Sequence, residues 1–552
     1  MTVSTAGTHS VGALLALLIV VLYAAVVWRL DAIYPVFYHH TDDDYTQHSL
    51  SHGLSSEAYW RGEAAGKRDW FQLMHPGVPF QVASWIGVRS VYDVQGRSIQ
   101  DVASQALDHP ERFWRYNTTV ALVLMLAALG LLAVVTGRLF GWSYAPLALL
   151  LFLAHPVTVK TSYFTLGNET FCLLLGVLLF LAGMKGLRGS TWWSLAAGVV
   201  ASVCYLNKLN YAMWGVALGL GYVTALFCDR GSRKLHARNL LVYGVAVVAF
   251  TVLVTEVWLG HKSGIRMLLL HLGVAAKTGH YGLGGSGAIV DPAAALQSAV
   301  SFFSESLPYT ALLILVVAAP WIAFLRRRSL GVPRSLGGWP TLLFFSAALI
   351  LPLAAALKHY HLHYTLAAAV PAVFLCGLTW VGCERRGRAL LAGLVIVAFL
   401  LNSSKMLAEL RAMHRHQTED LATAQRIREL PRQRGELIAW GFRAPVPEYL
   451  DSFVFEMFPD QACRQVLPAR HPEAAVAEIF TGFRPEAPGR LSESSGPTRY
   501  LVLYQGERRG MNRPISHRLQ QAKAVVGKPH RVVLENQRWL VLEFDPPLPS
   551  SL

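Results

Sequence analysis

The chain has 552 residues, 53% of them hydrophobic and only 15% charged, with a mean hydropathy of +0.37. Soluble domains carry about 25% charged residues, so the composition excludes a disordered chain and argues against a purely soluble enzyme. The net charge of +15 would point to nucleic acid in a soluble protein, but basic residues also collect in the cytoplasmic loops of membrane proteins.

A bilayer span needs about 20 mostly apolar residues. Eleven segments fit, roughly at 11–29, 117–137, 143–164, 168–184, 192–207, 210–228, 239–258, 307–325, 339–357, 364–382 and 388–403. The first has neither a charged leader nor a small-residue cleavage site, so it reads as a retained helix rather than a signal peptide. With the N-terminus inside, Arg138, Lys185, Arg188, Arg230, Arg233, Lys234, Arg238, Arg326, Arg327, Arg328, Arg334, Arg385, Arg386 and Arg388 all fall in the cytoplasm. The opposite short connectors hold only Lys160, Lys208 and Lys358. This asymmetry predicts an N-in, C-out topology. It explains much of the basicity, and no nucleic-acid partner is expected.

The expected architecture is a polytopic α-helical membrane domain over 1–403, with external loops 30–116 and 259–306. A soluble external domain over 404–552 follows. Its start, 405–430, reads as a charged helix. Strand-like runs then appear at 436–440, 499–504, 531–534 and 539–544, which predicts a small α/β or α+β fold. The six cysteines show neither metal-ligand nor disulfide spacing.

The first external loop opens with Tyr38-His39-His40-Thr41-Asp42-Asp43-Asp44-Tyr45-Thr46-Gln47-His48. Three adjacent carboxylates repel one another unless solvent, a cation or a base role stabilises them. At a membrane surface such a carboxylate can deprotonate an acceptor hydroxyl, or bind a divalent ion through oxygen. The plain alternative is a solvated acidic turn. Trp60, Trp70, Phe71, Phe80 and Trp85 make the loop amphipathic, and His75-Pro76-Gly77 would hold a sharp bend.

Other polar groups mark the outer ends of the spans. Lys160 and Glu169 flank the third and fourth; Asn207, Lys208 and Asn210 form the fifth-to-sixth turn; Glu256 ends the seventh; Lys358, His359, His361 and His363 end the ninth. Each lysine reads either as a snorkelling anchor or as a phosphate contact, where a point charge suffices. His359 and His363 are spaced for one helix face, but no third zinc ligand follows from the sequence. The glycine-rich run 277–287 lacks P-loop spacing and fits a mobile loop over a site. The span centres are nearly free of charge, unlike those of many transporters.

Four features resemble the GT-C superfamily of polytopic glycosyltransferases, above all the group of protein O-mannosyltransferases and lipid A aminoarabinose transferases. These are the acidic residues within Asp42-Asp43-Asp44; His75-Pro76 about 30 residues later; Glu169 at the end of a short hairpin; and Lys358-His359-Tyr360 through Tyr364 and Pro371. The resemblance covers roughly residues 10–400. It departs from the family in having three aspartates where a smaller acidic set is usual.

The resemblance implies an inverting transferase that moves a sugar from a polyprenyl-phosphate-linked donor to a glycan, lipid or protein acceptor. It implies an active site on the external face, among membrane lipids; the short external turns and the lack of paired cysteines point to a bacterial inner membrane, with the site facing the periplasm. Asp43 is the expected base, with Asp44 and Asp42 as alternates, or the triplet as ligands if a divalent ion is used. Lys208 and Lys358, then Lys160 and His359, are the expected donor-phosphate contacts, with His363, His75 and Glu169 also at the substrate. The competing readings are a transporter or flippase of lipid-linked glycans, and a non-catalytic scaffold. Sequon matches at Asn117, Asn168 and Asn402 sit at span ends.

Overall fold

The computed structural model describes residues 5–33, 45–62, 77–158, 167–258, 292–327, 338–358, 362–431, 436–440, 476–478, 497–505 and 524–548. The helices in chain order are α1 (Thr5–Ile33), α2 (Tyr45–Trp60), α3 (Val78–Val91), α4 (Ile99–Asp108), α5 (Pro110–Phe140), α6 (Ala145–Leu153) and α7 (Cys172–Leu187). They continue with α8 (Thr191–Asn207), α9 (Leu209–Cys228), α10 (Arg233–Val252), α11 (Pro292–Arg327), α12 (Gly338–Lys358), α13 (Ala369–Gly382) and α14 (Arg385–Arg428). Short 3₁₀ segments, Asn168–Phe171 and Leu362–Ala368, lead into α7 and α13.

Among the described residues, nine helices are long and apolar enough to cross a membrane, which makes this an integral membrane protein. Two of the eleven expected spans fall outside that set. α6 has nine residues, and α8, with 17, rises only about 26 Å at 1.5 Å per residue. Two boundaries also differ from expectation. α11 begins at Pro292 rather than at 307, so the end of the expected loop 259–306 is helical. The last span and the charged helix expected at 405–430 are one 44-residue helix, α14, because no Pro or Gly separates them.

Two compact units are present: 1–33, 71–83 and 116–409 form the first; 34–70, 84–115 and 410–552 the second. In the first, α13 is buried over Ala369–Leu378 and α7 along most of its length, as central helices apolar all round should be. Phe180 of α7 stacks on Phe344 and Phe345 of α12, with ring centroids 4.8 and 5.2 Å away, and lies 5.0 Å from Phe374 of α13. α1 instead buries one stripe, Ala16, Tyr23, Val27 and Leu30, and exposes Val11, Leu14, Leu17 and Val21. α8 and α10 meet at Gly198, where an added Cβ would lie 2.5 Å from Ala246 Cβ. Small residues permit such approaches between membrane helices. α11 kinks at Ser306 (φ −141°, ψ 40°), two residues before Pro308, whose ring cannot donate to the ladder. Ser306 Oγ donates to Phe302 O at 2.9 Å across the kink. Cys172, Cys204 and Cys376 are buried thiols, Cys383 is half-buried and Cys228 is exposed.

The second unit has a helical part. Leu50, Leu54 and Ala58 of α2 pack with Val88, Tyr92, Ile99, Val102, Ala106 and Phe113. Their i, i+4 spacing gives α2 its apolar face. The buried Glu57 carboxylate accepts from Arg61 Nε at 2.7 Å and Trp85 Nε1 at 2.8 Å. Ser98 and Asp101 form a capping box that starts α4.

The unit also holds a five-stranded sheet of order β2-β1-β3-β5-β4. Its strands are β1 (Leu437–Trp440), β2 (Val476–Glu478), β3 (Thr498–Tyr504), β4 (Arg531–Glu535) and β5 (Trp539–Leu548). β1 is parallel to β2 and β3, whereas β5 is antiparallel to β3 and β4. Period-two alternation sorts the side chains onto two faces. Tyr500, Val502, Trp539 and Val541 pack against Ala424 and Ile427 of α14. Leu501, Leu503, Leu540, Leu542 and Phe544 surround Val525 on the other face.

Candidate functional site

The site is built at helix ends in the first unit. α8 ends at Asn207 and α9 begins at Leu209, so Lys208 is the one extended residue between two helices (φ −164°, ψ 143°). Its amide still donates to Cys204 O at 3.1 Å, and its carbonyl accepts from Tyr211 N at 3.0 Å. Across from it, Gly167 opens the 3₁₀ turn that buries Asn168, Glu169 and Thr170.

Lys208 Nζ donates to Glu169 Oε1 in an ion pair whose side chains are about 5% and 4% exposed. The ammonium also lies 4.3 Å from the ring centroid of Tyr364, a cation–π distance. An isolated buried charge costs far more than a paired one, so Glu169 and Tyr364 allow this ammonium to remain inside. An ammonium has three protons, and Glu169 takes one.

Asn168 and Asn207 tie the junction together. Asn207 Nδ2 donates to Asn168 O at 2.9 Å, and Gly77 N donates to Asn168 Oδ1 at 2.9 Å. A Cβ on Gly77 would lie 2.1 Å from Asn207 O, so only glycine permits this approach. Gly77, the last residue of the expected His75-Pro76-Gly77 bend, thus lies at the Glu169–Lys208 junction.

The 3₁₀ segment that carries His363 and Tyr364 is fixed from beneath. Trp214 Nε1 donates to Ala367 O at 3.0 Å. His155 is buried; its Nδ1 accepts from Val157 N at 3.2 Å, which leaves the proton on Nε2. Nε2 then donates to Thr365 Oγ1 at 3.0 Å, and that hydroxyl donates to Leu362 O at 2.6 Å. Tyr309 meets the imidazole edge-on at 4.9 Å.

Of the residues expected at the substrate, Glu169 and Lys208 meet directly. Half-buried His363 joins them through Tyr364, with ring centroids 4.3 Å apart. Asp42, Asp43, Asp44, His75, Lys160 and His359 lie outside the described residues, as does the side chain of Lys358 at the end of α12. Among the described residues no three His, Cys, Asp or Glu side chains gather as a metal set. His155 and Asn168 were not singled out as site residues from sequence. The available signal for His155 was an ionisable side chain ending an apolar run; for Asn168 it was a sequon match. All three sequon asparagines, Asn117, Asn168 and Asn402, are buried.

No family model and no curated protein matches the chain. Solved structures do. A crystal structure of ArnT from Cupriavidus metallidurans bound to undecaprenyl phosphate is 14% identical, with a TM-score of 0.45. The alignment covers 95% of this chain and 97% of that one. The apo state of the same ArnT is 13% identical over the same shares, with a TM-score of 0.34. Both belong to the lipid A aminoarabinose transferase group that the sequence motifs resemble.

Proposed function

We propose that the protein is a membrane glycosyltransferase that moves a sugar from a polyprenyl-phosphate donor to an acceptor on the external, periplasmic face of a bacterial inner membrane. The observation that supports this reading is the buried Lys208–Glu169 pair beneath Tyr364. Ionisable side chains kept inside a membrane protein are costly, and function is the usual reason for keeping them. Lys208 offers its remaining protons to the donor phosphate. As the glycosidic bond breaks, charge accumulates on the departing phosphate, and a fixed ammonium in a dry site stabilises that charge more than water does. Glu169 keeps the ammonium oriented before the lipid arrives. The solved ArnT structure with undecaprenyl phosphate has the same kind of ligand.

In this reading Asp43, or its neighbour Asp44 or Asp42, takes the acceptor's proton as its oxygen attacks the anomeric carbon. Attack opposite the phosphate inverts that carbon. Lys160, Lys358, His359, His363 and His75 remain proposed substrate contacts, and 404–552 a proposed external domain.

A transfer assay with purified protein tests the proposal. Labelled polyprenyl-phosphate sugars are supplied with a lipid-extract acceptor mixture, and Asp42→Asn, Asp43→Asn, Asp44→Asn and Lys208→Ala are run beside wild type. Transfer by wild type that collapses in one folded aspartate variant and weakens in Lys208→Ala supports the assignment. No transfer across a broad donor panel, with aspartate variants that fully complement a deletion strain, would overturn it and put lipid-linked glycan transport first.

A further inference from the structure

Two buried carboxamides beside the ion pair are each half satisfied. Asn168 Oδ1 accepts from Gly77 N, which fixes the flip of that amide and leaves Nδ2 without a partner among the described residues. Asn207 Nδ2 donates to Asn168 O, which fixes the second amide and leaves Oδ1 without one. Both side chains are fully buried. A buried polar atom with no hydrogen bond costs about 1–3 kcal/mol. The bonds to Gly77 and to Asn168 O account for one half of each amide, and nothing among the described residues accounts for the other.

The two orphan atoms are complementary: one N–H donor and one carbonyl acceptor, on residues joined by a hydrogen bond. Each immediately precedes a member of the ion pair, Asn168 before Glu169 and Asn207 before Lys208. A hydroxyl group placed between them would satisfy both, since its oxygen accepts and its proton donates. A ligand anion on Lys208 would lie close to such a hydroxyl. Phosphate and hydroxyl are adjacent in this way in a glycosyl phosphate, where the sugar's ring hydroxyls neighbour the phosphodiester.

We propose that Asn168 and Asn207 form a hydroxyl-reading subsite, which takes one hydroxyl of the sugar in a lipid-linked glycosyl phosphate. The assignment rests on the reading of Lys208 as the phosphate contact. It adds a sugar-recognition role, on a donor–acceptor pair that suits a group able to both accept and donate. Sites built to hydrogen-bond a substrate hydroxyl reject the analogue that lacks it, because their own buried groups are then left bare.

The test measures binding in detergent by titration calorimetry. The probes are farnesyl phosphate and a panel of farnesyl-phosphoryl pentoses and hexoses. Wild type should bind at least one glycosylated probe about tenfold more tightly than farnesyl phosphate, the equivalent of about 1.4 kcal/mol. Removal of one ring hydroxyl from that probe should abolish the advantage. Asn168→Asp keeps an oxygen to accept from Gly77 and removes the orphan donor, while adding a second acidic group next to Glu169. It should lower the melting temperature and weaken both probes, the glycosylated one more, so that the glycosylated-to-bare ratio falls to about one, and the deoxy probe should then cost nothing further, as coupling requires. Asn207→Asp keeps the orphan acceptor and loses the bond to Asn168 O, so it should lower the melting temperature and retain the ratio. A wild-type ratio near one for every probe, or an unchanged ratio in Asn168→Asp, would overturn the subsite and leave the phosphate reading standing. If farnesyl phosphate binds wild type and Lys208→Ala equally, or neither, the phosphate reading falls and the subsite falls with it.

Discussion

Single side chains in the junction separate stability from function. Removal of one partner of a buried ion pair costs about 3–5 kcal/mol, because the other charge is stranded. Lys208→Ala should therefore lower the melting temperature, and Glu169→Gln combined with Lys208→Met should recover most of that loss. Transfer activity should fall in both. A double variant as active as wild type would reduce the pair to a packing device. Gly77→Ala would push a methyl carbon to within 2.1 Å of Asn207 O. Overpacking of that kind costs about 1–3 kcal/mol, so its thermal midpoint should fall even though the change is remote in sequence from Asn207. The residues of this junction were legible one at a time as polar marks at span ends. Their meeting was not, since positions 77, 168, 207 and 364 are joined by packing, which no local pattern encodes. His155 was missed for a related reason: it closes an apolar stretch and looks like part of it until its hydrogen bonds to Val157 and Thr365 are seen.

Among the elements, the sheet of the second unit makes the sharpest pH prediction. Glu543 on β5 accepts from Arg531 Nε at 3.0 Å and from Arg499 Nη2 at 2.7 Å. The hydrogen bonds from Arg531, then those from Arg499, hold its carboxyl below the ordinary range. The folded value is thus lower than the unfolded one, about 4.3. The stabilisation is complete above that unfolded value and disappears as pH falls through the folded one. Hydrogen exchange along β3 and β5 should show protection that weakens on acidification below about pH 4. Glu543→Gln should start less protected and depend less on pH over the same window; identical profiles would place the acid sensitivity elsewhere. A second clasp joins α14 to the sheet: Asp420 accepts from Arg538 through Nε and Nη2, both at 2.8 Å. Asp420→Asn should loosen that docking, read as faster exchange at Trp539. Four strands were legible from their β-branched and aromatic runs, whereas β2 is only Val-Ala-Glu, too short to alternate visibly. The continuity of α14 was hidden because its character changes from apolar to charged midway, while its backbone has no reason to stop.

At the level of the whole molecule, length and hydropathy made the membrane character plain. The chain's basic residues carry the proposed N-in topology. That orientation meets its test in the cysteines. Cys172, Cys204 and Cys376 are sealed in the interior, whereas Cys228 and Cys383 have exposed surface. Both accessible thiols end helices beside arginine-rich turns, so the proposed topology puts them on the cytoplasmic side and Cys463 on the opposite one. In Cys463→Ser, a membrane-impermeant maleimide should leave intact spheroplasts unlabelled and react only after permeabilisation. Labelling of intact spheroplasts would reverse the topology. The buried thiols thus make the Cys463→Ser protein a sidedness reporter: the interior silences three sulfurs, and the two that remain speak for a single face.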